Sequence, residues 1–123
     1  MCTAEELRLA CESGTGLAFP YGAAYEQDTC NGLDHGAGSA VLIGSLNGCV
    51  TNDGVYDLSG NVAEWTSTVT GNTGAPEDLD IIQVFGGSFL TPANGMSCGF
   101  DLARITTNAV TPSIGFRCCA DVP

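Results

Sequence analysis

A chain of 123 residues is the size of one domain and can bury only a modest core. Its formal net charge is −11, with no lysine and only Arg8, Arg104 and Arg117 as permanent cations. A surface of that sign repels phosphate backbones and anionic lipid, which argues against nucleic-acid and membrane-surface binding and favours calcium or a basic partner.

In chain order, Thr3-Ala4-Glu5-Glu6 reads as a capping box. Leu7, Ala10 and Cys11 then fall on one face, which predicts a helix from about residue 4 to 12, stopped by Ser13-Gly14. The opening "MCTAEELRLA" is too charged and polar for a secretory leader. If the protein is exported, the leader has been removed or the chain is a fragment. No apolar run approaches a membrane span. Beyond the helix the chain is rich in glycine, and Asn-Gly pairs at 31–32, 47–48 and 94–95 mark turns. Short apolar runs predict strands at Ala40–Ile43, at Ile82–Phe85 with Ser88–Leu90, and at Ile114–Cys119. The polar stretch Thr68–Asp78 reads as a loop. No internal repeat or second domain is visible. The expectation is one α+β domain over residues 1–123, with little regular structure and much ordered loop.

Such a domain needs staples, because loops bury little apolar area per residue. The seven cysteines stand at 2, 11, 30, 49, 98, 118 and 119. There is no C-x-x-C pair and His35 is the single histidine, so zinc is disfavoured. Wide spacing favours disulfides and an oxidising compartment, extracellular or periplasmic. The odd count leaves a thiol free or paired to another chain. Cys118 and Cys119 are adjacent on a predicted strand, so they point to opposite faces.

One segment stands out. "GVYDLSGNVAEWT" (54–66) holds the only tryptophan and places Asp57, Asn61 and Glu64 within eight residues. With "TAEELRLACESG", "FPYG", "FGGSF" and "GFRC" in the same order, it resembles the formylglycine-generating enzyme (sulfatase-modifying factor) family, whose domain is a variant of the C-type lectin-like fold. The resemblance runs from Met1 to about Cys119. It covers the second half of the usual family domain, so the chain is either a minimal version of the fold or needs another segment to complete it.

The resemblance implies a calcium site. Asp57 and Glu64 would give side-chain oxygens, and Gly60 and Val62 backbone carbonyls. Calcium takes oxygen ligands and accepts carbonyls readily. Asn61 would hold the turn, and Trp65 would anchor it in the core. A second family site resembles Asn31, the Gly32 carbonyl and Asp34, at a shorter spacing than usual. For the cysteines the resemblance implies Cys11 with Cys98, and Cys2 with Cys118 or Cys119. Cys30 and Cys49 remain to tie off the loop between them.

The family's enzymes oxidise a sulfatase cysteine with copper held by two cysteines, three and eight residues after the Ser of GGS. Counted from Ser88, those positions hold Thr91 and Met96, and Phe85 replaces the usual Arg. Copper(I) needs two soft thiolates, so a non-catalytic member is expected, with the copper-dependent oxidase as the alternative. No other nucleophile–base pair is evident. Two uses remain. One is a binding module for a protein or glycan, with Thr91–Pro112 as its display run and Asn94, Asp101, Arg104 and Asn108 as candidate contacts. Some bacterial and phage proteins of this fold diversify that region. The other is a structural unit that assembles with copies of itself.

Overall fold

The structure is a computed structural model that describes residues 1–100 and 104–121. One helix, α1 (Ala4–Cys11), precedes four strands: β1 (Ala63–Asn72), β2 (Asp80–Phe85), β3 (Arg104–Thr106) and β4 (Ile114–Phe116). The capping box forms as expected. Thr3 Oγ1 accepts from the Glu6 N–H at 3.1 Å, and Glu6 Oε2 accepts from the Thr3 N–H at 2.7 Å. Ser13 and Gly14, both left-handed, end the helix. Leu7 and Cys11 are its buried stripe.

The sheet among the described residues runs β3-β2-β1-β4. β1 pairs antiparallel with β2 and parallel with β4, and β3 pairs antiparallel with β2. Two apolar clusters fill the interior. Cys2, Leu7, Cys11, Leu58, Phe85 and Cys98 form one, between α1 and the sheet. Phe19, Cys30, Cys49 and Met96 form the other, beneath the loops. Disulfides join Cys2 to Cys119, Cys11 to Cys98 and Cys30 to Cys49, so each cluster is stapled. Cys118 is the free, exposed cysteine. No helix of the described residues is long and apolar enough to cross a membrane.

Several sequence expectations are corrected. Ala40–Ile43 is not a strand. The Asn61 side chain, rather than a neighbouring strand, satisfies the backbone of Val41. Ser88–Leu90 is a turn rather than a continuation of β2, because Gly86 and Gly87 carry the chain through positive φ. The last predicted strand stops at Phe116. Thr68–Asn72, expected to be loop, extends β1. It pairs with β2 out to Asn72 opposite Asp80, with two register shifts. Its outer residues are mostly exposed, so it lacks the apolar alternation that marks a half-buried strand. Trp65 is half-buried on β1 rather than a core anchor.

Candidate binding cleft at the central loop

The loop from Asp57 to Val62 turns tightly because three residues sit in the left-handed region: Asp57 at φ 57°, Gly60 at 78° and Asn61 at 65°. Asp and Asn tolerate that region better than most side chains, at a cost of roughly 1–2 kcal/mol each. Backbone bonds from distant segments hold the conformation. Asp57 N–H donates to the Cys49 carbonyl, Gly60 N–H to Gly86, Asn61 N–H to Asn31, and Phe89 N–H to Asn61, all between 2.7 and 3.0 Å. At Gly60 a Cβ would stand 2.6 Å from the Asn31 carbonyl oxygen and 2.7 Å from Met96 Cε, so only glycine passes.

The polar side chains of this loop reach outward to the segment before it. Asn61 Oδ1 accepts from the Val41 N–H at 2.9 Å and from Asn31 Nδ2 at 3.0 Å, while Asn61 Nδ2 donates to the Val41 carbonyl at 3.2 Å. Asp57 Oδ2 accepts from the Gly44 N–H at 2.8 Å. Residues 41–44 are thereby clamped over the loop.

Glu64 follows on β1, level with Gly115 of the parallel strand β4. Arg117, two residues past Gly115, returns to the same face. Its Nε donates to Glu64 Oε1 at 2.6 Å, its Nη2 pairs with the same oxygen, and that Nη2 also donates to the Tyr56 carbonyl at 2.9 Å. Glu64 is 5 % exposed, and its Oε2 is buried with no hydrogen-bond partner. Burial pushes the Glu64 carboxyl above the usual carboxylate range. The Arg117 hydrogen bond and charge pull it back, and the charge of Asp57 pushes it up again.

Asp57, Asn61, Glu64 and Arg117 line the floor of one cleft of about 320 Å³. Val41, Ile43, Val62 and Phe116 line its walls. The floor carries two carboxylates against one guanidinium, a net charge of −1, and one bare buried oxygen. Such an oxygen needs a donor or a cation. The set fits a hard cation that accepts carbonyls as well as carboxylates. Among the described residues no group of three or more His, Cys, Asp or Glu could hold a metal ion, so a metal at Asp57 and Glu64 would need further oxygens from the backbone.

The other expected set is less assembled. Asn31 is fully buried and its Oδ1 has no partner, while its Nδ2 donates to the Ser39 carbonyl and to Asn61. Gly32 packs against Met96. Asp34 is exposed and accepts from the Tyr25 hydroxyl at 3.2 Å. Burial and that hydrogen bond push Tyr25 up to about 12. Of the expected display residues, Asn94 and Asn108 are exposed, Arg104 is exposed on β3, and Asp101 lies outside the described residues. The run Thr91–Pro112 therefore contains a framework strand and is not one continuous loop.

At the two positions where copper cysteines were expected from the count after Ser88, the Thr91 hydroxyl accepts from the Ser88 N–H at 2.9 Å. Met96 is 2 % exposed in the second core cluster. Cys98 is bridged to Cys11. A larger cleft of about 620 Å³ lies between α1 and the β1–β2 pair, lined in part by Arg8, Thr68 and Phe100. No buried, unpartnered polar atom of the described residues belongs to it.

Reading the sequence alone missed Arg117 as a site residue. The available signal was its rarity as one of three arginines, in the quoted "GFRC" block.

One short helix and a mixed sheet, stapled by disulfides beneath long ordered loops, define a C-type lectin-like domain of the sulfatase-modifying-factor type. The family described as "Sulfatase-modifying factor enzyme 1-like domain" matches residues 1–122, and the chain belongs to it. Among solved structures, Treponema denticola variable protein 1 matches with a TM-score of 0.72 at 18 % identity. The match covers 94 % of this chain and 45 % of that one, so this chain spans less than half of that protein. At that identity the likeness speaks for the fold.

Proposed function

We propose that the chain is a non-catalytic binding module of the sulfatase-modifying-factor fold, stabilised by calcium and working outside the cytoplasm. The observation that carries the proposal is the chemistry at Thr91 and Met96. A hydroxyl engaged with the backbone and a thioether packed in the core replace the two thiolates that copper(I) oxidation chemistry requires. The nearest cysteine in the chain, Cys98, is committed to a disulfide. Disulfides also support an oxidising compartment.

Calcium is the proposed ion at Asp57 and Glu64, with the carbonyls of Gly60 and Val62 as further ligands. Bound there, it would neutralise the buried negative charge and lock the strained loop. The bare Glu64 Oε2 supports this reading. The Asn31, Gly32 and Asp34 set is proposed as a second, weaker site, supported by the bare Asn31 Oδ1. Assembly into copies is a second reading, favoured by the exposed thiol of Cys118.

The test is a metal titration on the intact chain and on Cys118→Ser. Calcium should raise the thermal midpoint of both proteins. A copper(I) chelator competition should show no tight copper complex in Cys118→Ser. A tight copper(I) complex in that variant, with oxidation of a sulfatase-type cysteine peptide, would restore the oxidase.

A further inference from the structure

We infer that the cleft between α1 and the β1–β2 pair is a binding site for a neutral carbohydrate, held by side chains and independent of calcium. This deepens the binding-module reading and rests on it. The cleft, of about 620 Å³, lies in the size range of small-ligand sites and shares no lining residue with the cleft at Asp57 and Glu64. Phe85, 5 % exposed, and the buried Cys98 give it an apolar floor. The Cys11–Cys98 disulfide ties that floor to α1, so the cleft is formed before anything enters it.

The charges at the rim balance. Among the described residues of the lining, Arg8 and Glu5 are the charged ones, in a chain of net charge −11. An anion would face the field of the whole chain, and a cation would meet Arg8, so an uncharged occupant is favoured. Neither group is used up by the fold. The capping box takes Glu6 rather than Glu5. Arg8 meets Glu12 through Nε at 3.5 Å, with its side chain 53 % exposed. Thr68 Oγ1 accepts the Ala4 N–H at 3.0 Å, which leaves its hydroxyl proton to donate. The rim therefore offers a guanidinium that only donates, a carboxylate that only accepts and a hydroxyl placed to donate. Each sugar hydroxyl both donates and accepts. Glu5 and Arg8 are three apart on one helix face, so neighbouring hydroxyls of one ring can meet both.

Phe100 supplies the flat apolar surface that suits a pyranose ring. It lines the cleft and is 41 % exposed, so the C–H face of a sugar can lie against it and bury area on both sides. A peptide fits less well. Extended peptides bind by adding a strand to a sheet edge, whereas β1 and β2 already pair with one another along this wall. The run Thr91–Pro112, expected to be the display surface, also gains a place here, since its Cys98, Gly99 and Phe100 line the cleft.

The probes are cellotetraose, chitotetraose and mannotetraose, each titrated into the whole chain by NMR, once in EDTA and once in calcium. At least one should shift Glu5, Arg8, Thr68, Gly99 and Phe100, equally in both conditions. Gly99→Trp should abolish the shifts. A carbon added at Gly99 meets nothing within 4 Å, so the indole enters the cleft and not the core, and an unchanged thermal midpoint checks the fold. Arg8→Met keeps the apolar stem at an exposed position and should weaken binding about tenfold. No shift from any of the three sugars overturns the site, as do shifts that ignore both variants. Shifts that require calcium and centre on Asp57 and Glu64 overturn it and leave the calcium-stabilised module standing. Capped tetra-alanine shifting the same residues where no sugar does overturns the carbohydrate and leaves the binding module. Sugar shifts that answer to both variants keep the site even where a tight copper(I) complex in Cys118→Ser removes the non-catalytic reading.

Discussion

Gly60→Ala is the sharpest test of how the central loop is held. Two penalties act at once. Gly60 sits at φ 78°, where an L side chain is disfavoured by about 1–2 kcal/mol. Its new Cβ would also stand 2.6 Å from the Asn31 carbonyl oxygen, 2.8 Å from the Asn31 carbonyl carbon and 2.7 Å from Met96 Cε. Met96 can yield, being the end of a flexible side chain. The Asn31 carbonyl cannot easily yield, because it already accepts the Asn61 N–H at 2.7 Å. Overpacking of this kind is unfavourable by about 1–3 kcal/mol, so the total should reach roughly 3–4 kcal/mol. Gly54→Ala separates the two terms. Its φ is 80° and nothing lies within 4 Å of the added carbon, so it should lose only about 1 kcal/mol. Urea unfolding of both variants, with equal slopes, measures the difference. Equal losses would refute the claim that the Asn31 carbonyl packs against this glycine.

Four further outcomes are expected. Glu64 has its carboxyl raised by burial, so it binds its proton more tightly folded than unfolded. The stability this adds is present at low pH and is lost as pH rises through the folded value. Without calcium, the urea midpoint of Glu64→Gln should therefore gain on the wild type from about pH 4 upward and then level off, and a flat or falling difference refutes the sign. In calcium at about 100 times its dissociation constant, the wild type should gain about 2.7 kcal/mol, and Asp57→Ala much less. The Cys30–Cys49 link closes a separation of 19 residues and the Cys2–Cys119 link one of 117, so replacing each pair by serine should remove about 3 and about 5 kcal/mol respectively. Alkylation of the denatured, unreduced chain should modify Cys118 alone, and intact mass with peptide mapping decides it.

How much of this was legible in the sequence depended on whether the determinant was local. The capping box needs only Thr3 and Glu6, three residues apart, and α1 forms where the pattern puts it. The central block was readable because its turn formers and oxygen-bearing side chains are contiguous. Ala40–Ile43 misled because its apolar residues suggest a strand, while its hydrogen bonds come from Asn61, 20 residues away. Leu42 and Ile43 are consequently exposed rather than buried. The outer half of β1 misled in the opposite sense. Its threonines look like loop, yet pairing with β2 and the bond from Thr70 Oγ1 to the Ile81 carbonyl keep it extended. The sequence put Cys118 and Cys119 on one strand with opposite faces; β4 stops at Phe116, before either of them, and the sequence did not say which one faces Cys2. In the fold Cys119 does, leaving Cys118 outside.

The pairing of Glu64 with Arg117 was the hardest feature to foresee, and it bears most on function. The two lie 53 residues apart and meet only because β4 joins β1 in parallel with Gly115 beside Glu64. A one-residue slip of that register would send Arg117 to the opposite face and leave both carboxylates of the floor without a counter-ion. The observed register holds the charge of the cleft at −1 and leaves one oxygen uncommitted. A second arginine there would fill the need, and none at all would make the buried charge prohibitive. One further positive charge would balance the floor of the cleft, and this is the need that the proposed calcium would meet.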